Sequence, residues 1–287
     1  MQDAPFTISM PSPRSSGVVF ASPHSGRDYP WAFLRRSILD ERTIRSSEDA
    51  FVDRLFSPAP RLGAPLLAAR LPRAYVDLNR GSDELDPSVV EGVRHVAHNP
   101  RVTSGLGVIP RVVANGRAIY RGKIGLPEAR ARLTDVWTPY HTALQRLLSE
   151  ARREFGKAIL IDCHSMPHEA IDSISAGGRA PDVVLGDRFG AACAPEIIDR
   201  VEAAFAGAGL RVARNAPFAG AYVTQHYGRP SKNQHVVQVE IDRALYMDER
   251  EIRANAGFAD LRRVLTDVIG EIVEIGRPAP AMPLAAE

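Results

Sequence analysis

Two histidines stand at the ends of short apolar runs that lie far apart in the chain: His24 in VVFASPHSG and His164 in KAILIDCHSMP. Residues 18–21 and 158–161 are apolar at consecutive positions, as strands covered on both faces should be. Pro23 and Pro167 then end the two runs, because proline cannot donate to a ladder. In open α/β sheets ligands bind at the carboxyl ends of strands, so both imidazoles stand where a ligand would sit. A catalytic zinc takes about three nitrogen or oxygen ligands from protein and keeps a further position for water. His24 and His164 would supply two of them, and an acid must supply the third. Neither HExxH nor a CxxC pair occurs, so such a site would be dispersed along the chain. The other histidines (His95, His98, His141, His168, His226 and His235) read as solvated or capping side chains.

Two further strand ends carry reactive groups. In RAYVDLNR, the Arg80 guanidinium offers a planar pair of donors that suits a carboxylate, and the Asn79 amide can complete the grip. The competing reading is a surface ion pair between Arg80 and Asp83 or Glu84, which would contribute little. In VVQVEIDR, Glu240 interrupts a run of Val and Ile. A buried carboxylate is costly unless it is paired or functional, so Glu240 is either a site residue or the partner of Arg243 or another base.

The elements that must position these groups alternate. Strands are expected at 18–21, 66–70, 74–78, 158–161, 182–187, 210–215 and 235–243. Helical spacing is expected from Ser46 or Ser47, over 126–155 with a kink at Pro139, over 194–209, and from about Asp248 to Ile275. This order predicts an α/β fold with a mixed, mainly parallel central sheet flanked by helices on both faces. The 287 residues suit one α/β domain, with a core at about 16–275. Residues 81–126, rich in Gly, Pro and Asn, are expected to form a long loop or lid, and 276–287 a flexible tail.

Bulk composition narrows the function classes. The 36 basic residues nearly balance the 34 acidic ones, leaving a net charge of +2, so no global field calls for nucleic acid or an anionic membrane. The arginines are scattered among acids and lack an aromatic array, which also argues against nucleic acid. No apolar run approaches the roughly 20 residues that span a bilayer. Two cysteines cannot build a disulfide framework, and MQDAPFTISM lacks the charged and apolar regions of a signal peptide. A soluble cytoplasmic protein is the expectation. Oligomeric state is not readable from the sequence.

Nine segments in order, among them SPHSGRDYP, SEDAFVDRLF, RAYVDLNR, PYHTAL, IDCHSMP, NAPFAGAYVTQHYGRP and VQVEIDRALYMDE, resemble the N-formylglutamate amidohydrolase family over about residues 16–255. The resemblance implies a fold similar to zinc carboxypeptidases and aspartoacylases. It also implies hydrolysis of N-formyl-L-glutamate to formate and glutamate, the last step of a histidine-degradation route. By the same resemblance His24 and His164 would bind one Zn2+ per chain, and Arg73 would polarise the scissile carbonyl. Asn79 and Arg80, with Arg243, would hold the carboxylates of a small anionic N-acyl amino acid, and Glu240 would be the general base. Zinc carboxypeptidases place an acidic ligand three residues after the first histidine, where this chain has Arg27. Asp49 best matches the family's aspartate as the third ligand, with Glu48 and then Asp28 behind it. Another N-acyl amino acid or a small peptide as substrate, or a non-catalytic binding protein, are the competing readings.

Overall fold

The computed structural model describes residues 4–93, 99–172 and 180–278. His95, His98 and the 279–287 part of the expected tail lie outside the described residues. Among the described residues seven strands form one sheet: β1 (Phe6–Ser9), β2 (Val18–Ser22), β3 (Leu66–Ala69), β4 (Ala158–Met166), β5 (Val183–Gly186), β6 (Val212–Arg214) and β7 (Gln234–Asp242). Their order across the sheet is β1-β3-β2-β4-β7-β5-β6. β3, β2, β4 and β7 run parallel, while β1 pairs antiparallel with β3 and β5 antiparallel with β7. The expected mixed, mainly parallel sheet flanked by helices is present.

Every residue of β2, β4 and β7 is buried, because both faces of the sheet are covered. Side-chain alternation divides most of the strand residues between two large cores, and a small third cluster holds Met166, Ile171 and Val184. Val18, Phe20, Ile159, Ile161, Val237 and Val239 pack against helices Pro195–Gly207 and Phe258–Ile275. Val19, Ala21, Ala158, Leu160 and Val236 face helix Thr138–Phe155 together with buried side chains from 74–124. On this second face the apolar row of β4 continues into Asp162 and His164, and that of β7 into Gln238 and Glu240. The parallel register sets Asp162 beside Gln238 and His164 beside Glu240. Period-2 alternation thus carries four polar groups from the middle of the sheet to its C-terminal edge.

The sequence reading fails at three places, each for a tertiary reason. The helix expected from Ser46 or Ser47 is a single turn, Val52–Leu55, preceded by Phe51 at φ 67°. Residues 46–51 instead form a loop tied to the first strand end, since the Asp49 amide donates to the His24 carbonyl at 3.0 Å. Residues 74–78 are not a strand: Val76 N–H donates to Pro72 O at 3.3 Å and Asp77 N–H to Val108 O at 2.8 Å, so the segment coils against the 81–126 region. The last helix begins at Phe258, because Asp248 accepts from the amides of Arg250 and Glu251 in a turn within a two-stranded hairpin. The break near Pro139 is a π-helical turn at Leu133–Trp137, where proline has no N–H to donate back.

Candidate active site

His24 leaves the end of β2 on a tight SPHSG turn that packs against the chain after β3. A Cβ on Gly26 would stand 2.1 Å from Leu71 O, so only glycine fits the crossing. His164 projects from β4, and Asp49 arrives on the loop pinned beneath His24. Asp49 Oδ2 lies 3.3 Å from His24 Nδ1 and 2.9 Å from His164 Nδ1. The two rings sit 4.8 Å apart, and one ligand atom from each of the three residues falls within 4.8 Å of the other two. Burial alone would raise the Asp49 pKa, but the His164 hydrogen bond and the close approach of both imidazoles hold it well below the ordinary carboxylate range.

The outer nitrogens face two other acids. His24 Nε2 lies 2.7 Å from Asp77 Oδ1 and His164 Nε2 lies 3.0 Å from Asp162 Oδ2. Such carboxylate partners fix the tautomer and leave Nδ1 to act as a ligand. Burial would lower the His164 pKa, yet Asp162 and Asp49 raise it well above the usual imidazole value. A site that draws protons this strongly onto an imidazole is short of positive charge. His24 Nδ1 is buried with no hydrogen-bond partner, although it faces a carboxylate oxygen. A divalent ion satisfies both conditions. The nitrogen–oxygen gaps of 2.9 and 3.3 Å are also near the separation of about 3.3 Å between ligands of tetrahedral zinc. The donor set of two imidazoles and one carboxylate therefore fits zinc.

The alternative acids are engaged elsewhere. Glu48 pairs with Arg45 at 2.9 Å and accepts from Tyr29 Oη at 2.7 Å. Asp28 pairs with Arg70 at 2.8 Å in the open.

Around this centre lies a cavity of about 510 Å³ whose wall includes Arg73, Asn79, Arg80, Glu240 and Arg243. Its size suits a small ligand. Burial, helped by Asp49 and opposed by His164, pushes Glu240 up to about 7. Arg73 donates to Asp77 Oδ2 at 2.8 Å. Arg80 forms no ion pair with Asp83 or Glu84; it donates from Nε to Leu106 O and from Nη1 to Asn79 O, both at 2.7 Å. Nor does Arg243 pair with Glu240. It donates from Nη2 to Asp49 Oδ1 at 3.0 Å and from Nε to Ser165 Oγ at 3.2 Å, bracing Asp49.

Three contributors escaped the sequence reading. Gln238 donates to Glu240 Oε1 at 2.8 Å and accepts from Asn79 Nδ2 at 3.4 Å, so one amide links general-base and substrate-grip candidates. The signal was present: Gln238 and Glu240 are two apart in an otherwise apolar strand, hence on one face. His141 is buried, not solvated, with Nε2 3.0 Å from Leu78 O and Nδ1 2.9 Å from Tyr227 Oη. Trp137 Nε1 donates to Arg80 O at 2.9 Å. Nothing local in the sequence marks either as a support for residues some 60 positions earlier.

The family described as N-formylglutamate amidohydrolase matches residues 16–247. An N-formylglutamate deformylase from Pseudomonas aeruginosa is 35% identical over 260 residues, which cover 90% of this chain and 91% of the relative. One from Pseudomonas putida is 33% identical, covering 82% of this chain and 83% of its own. The crystal structure of an N-formylglutamate amidohydrolase from Ralstonia eutropha JMP134 superposes with a TM-score of 0.88 at 36% identity, over 95% of this chain and 98% of that one. An Agrobacterium tumefaciens protein of known structure shares the fold, with a TM-score of 0.64 at 17% identity over 95% of this chain and 96% of its own.

Proposed function

This chain belongs to the N-formylglutamate amidohydrolase family, and from that membership we propose that it hydrolyses N-formyl-L-glutamate to formate and L-glutamate in the cavity above His24, Asp49 and His164. The observation that carries the reading is the convergence of those three donors beside a buried carboxylic acid, although they lie 25, 115 and 140 positions apart in the chain.

His24, Asp49 and His164 would hold a zinc ion, with Asp77 and Asp162 fixing the rings from behind. Zinc, when bound, supplies the Lewis acidity that makes water nucleophilic near neutral pH. Glu240 takes the proton of the attacking water and returns it to the departing amine. Its burial favours proton uptake, and such acid–base help is worth about a hundredfold or more. Arg73, held by Asp77, donates to the oxygen of the formyl group as negative charge develops there. Asn79 and Arg80 hold a substrate carboxylate and fix the formyl carbon over the centre, so recognition at a distance contributes to rate through positioning. Arg243 keeps Asp49 oriented and adds positive charge to the carboxylate-binding wall. No helix among the described residues is long and apolar enough to cross a membrane. A cytoplasmic role in histidine degradation follows from the same family reading.

Formate release from N-formylglutamate, measured with and without a chelator alongside elemental analysis, tests the proposal. About one zinc per chain and chelator-sensitive formate release are expected. A metal-loaded protein that leaves N-formylglutamate intact, while cleaving another N-acyl amino acid, overturns the substrate assignment. Full activity without metal overturns the mechanism.

A further inference from the structure

The cavity extends beyond Arg80 to a one-turn helix, Pro100–Thr103, whose Arg101 lines the same wall. Arg101 is exposed, and its guanidinium makes no ion pair or hydrogen bond among the described residues. Arg80 is buried, and burial lowers its pKa; Asp77 opposes the shift, while Arg73 and Arg101 add to it by repulsion. Two guanidinium groups of one sign therefore face a common space and feel each other.

Local bonding keeps them together despite the repulsion. Asn99 Oδ1 accepts from the amides of Arg101 at 3.0 Å and Val102 at 3.4 Å, and its Nδ2 donates to Glu84 Oε2 at 2.9 Å. The other oxygen of Glu84 accepts from Gly81 N at 2.7 Å. The residue after Arg80 is thus linked through one carboxylate and one amide to the turn that carries Arg101. Both Glu84 oxygens are occupied by these bonds, so Glu84 anchors the turn instead of pairing with either arginine. Like charges fixed on one wall are stabilised by an anion with a negative group for each.

We infer that Arg80 and Arg101 form a two-point site for a dicarboxylate, with Arg101 taking the carboxylate at the far end of the substrate side chain. The inference rests on the function proposed above and sharpens it: the preferred substrate is a dianion, and Arg101 discriminates against singly charged N-formyl amino acids. The one-turn helix is then a specificity element contributed by the 81–126 region.

Glutarate and its monoamide test this by calorimetry on the metal-loaded protein at fixed ionic strength, because they differ by one charge at equal length. The wild type is expected to bind glutarate about tenfold more tightly than the monoamide, as a charge-assisted bidentate contact provides. Arg101→Ala is expected to abolish that preference while changing monoamide affinity less than about twofold, and Arg101→Lys to retain part of it. Preference kept in Arg101→Ala, or absent in the wild type, overturns the inference. Formate release by the wild type judges the underlying function separately, since glutarate binding needs no turnover.

Discussion

Glu240 has an ordinary carboxyl value of 4.5, and burial raises it to about 7, so its ionisation opposes folding. The sign is fixed by comparing states. Between pH 4.5 and 7 the unfolded chain has already lost this proton while the folded chain retains it, so stability falls as pH rises through that window. A gap of that size corresponds to roughly 3 kcal/mol above pH 7. Glu240→Gln, a neutral near-isostere, is therefore expected to raise the stability of chelator-treated protein at pH 8 by up to about 3 kcal/mol and to change it little at pH 4, as read by denaturant titration. The same substitution should retain zinc yet reduce formate release by about a hundredfold or more. Near-normal turnover in Glu240→Gln would remove the residue from the chemistry. His164→Ala should lose metal and activity together, and a variant with full zinc content and normal turnover would exclude the imidazole as a ligand.

At the scale of elements, the loop 77–80 matters because it is not a strand. Its carbonyls at Leu78 and Arg80 are held by His141 and Trp137, one turn apart along the helical run that ends at Phe155. These bonds bracket Asn79 and fix the direction of its side chain. Trp137→Phe removes the donor to Arg80 O and leaves a part-buried carbonyl unpaired, at a cost of about 1–3 kcal/mol. A raised KM with a smaller change in kcat is the expected signature, whereas unchanged kinetics with lowered Tm would mark a purely structural contact. Strands β2, β4 and β7 were legible because burial on both faces writes a continuous apolar run, and His24, His164 and Glu240 were legible as interruptions of such runs. The turn at Phe51, the coil at 74–78 and the supports from His141 and Trp137 were not. Each is set by hydrogen bonds to residues distant in the chain, and a local pattern carries no record of them. The candidate third ligand shows the boundary: Asp49 and Glu48 are adjacent and chemically alike, and the pairing of Glu48 with Arg45 and Tyr29 is what sets them apart.

Across the whole molecule the two large cores divide the work. Among the described residues, the core beneath helices Pro195–Gly207 and Phe258–Ile275 contains no residue that lines the cavity, so it can be weakened without touching it. Ile272→Ala, fully buried there, should lower stability by about 2–5 kcal/mol while leaving KM for N-formylglutamate within about twofold. A large KM change would mean that the faces communicate. The strand order carries a different consequence, for biogenesis. β7 is the last strand of the sheet to be made, yet it sits between β4 and β5. A nascent chain that has not yet reached Gln234 has two bare hydrogen-bonding edges where the centre of the sheet will be, on β4 and on β5, and the β5–β6 pair has no place to dock. Ribosome release before that point should yield sticky, metal-incompetent fragments, and metal capture should begin only when β7 closes the gap.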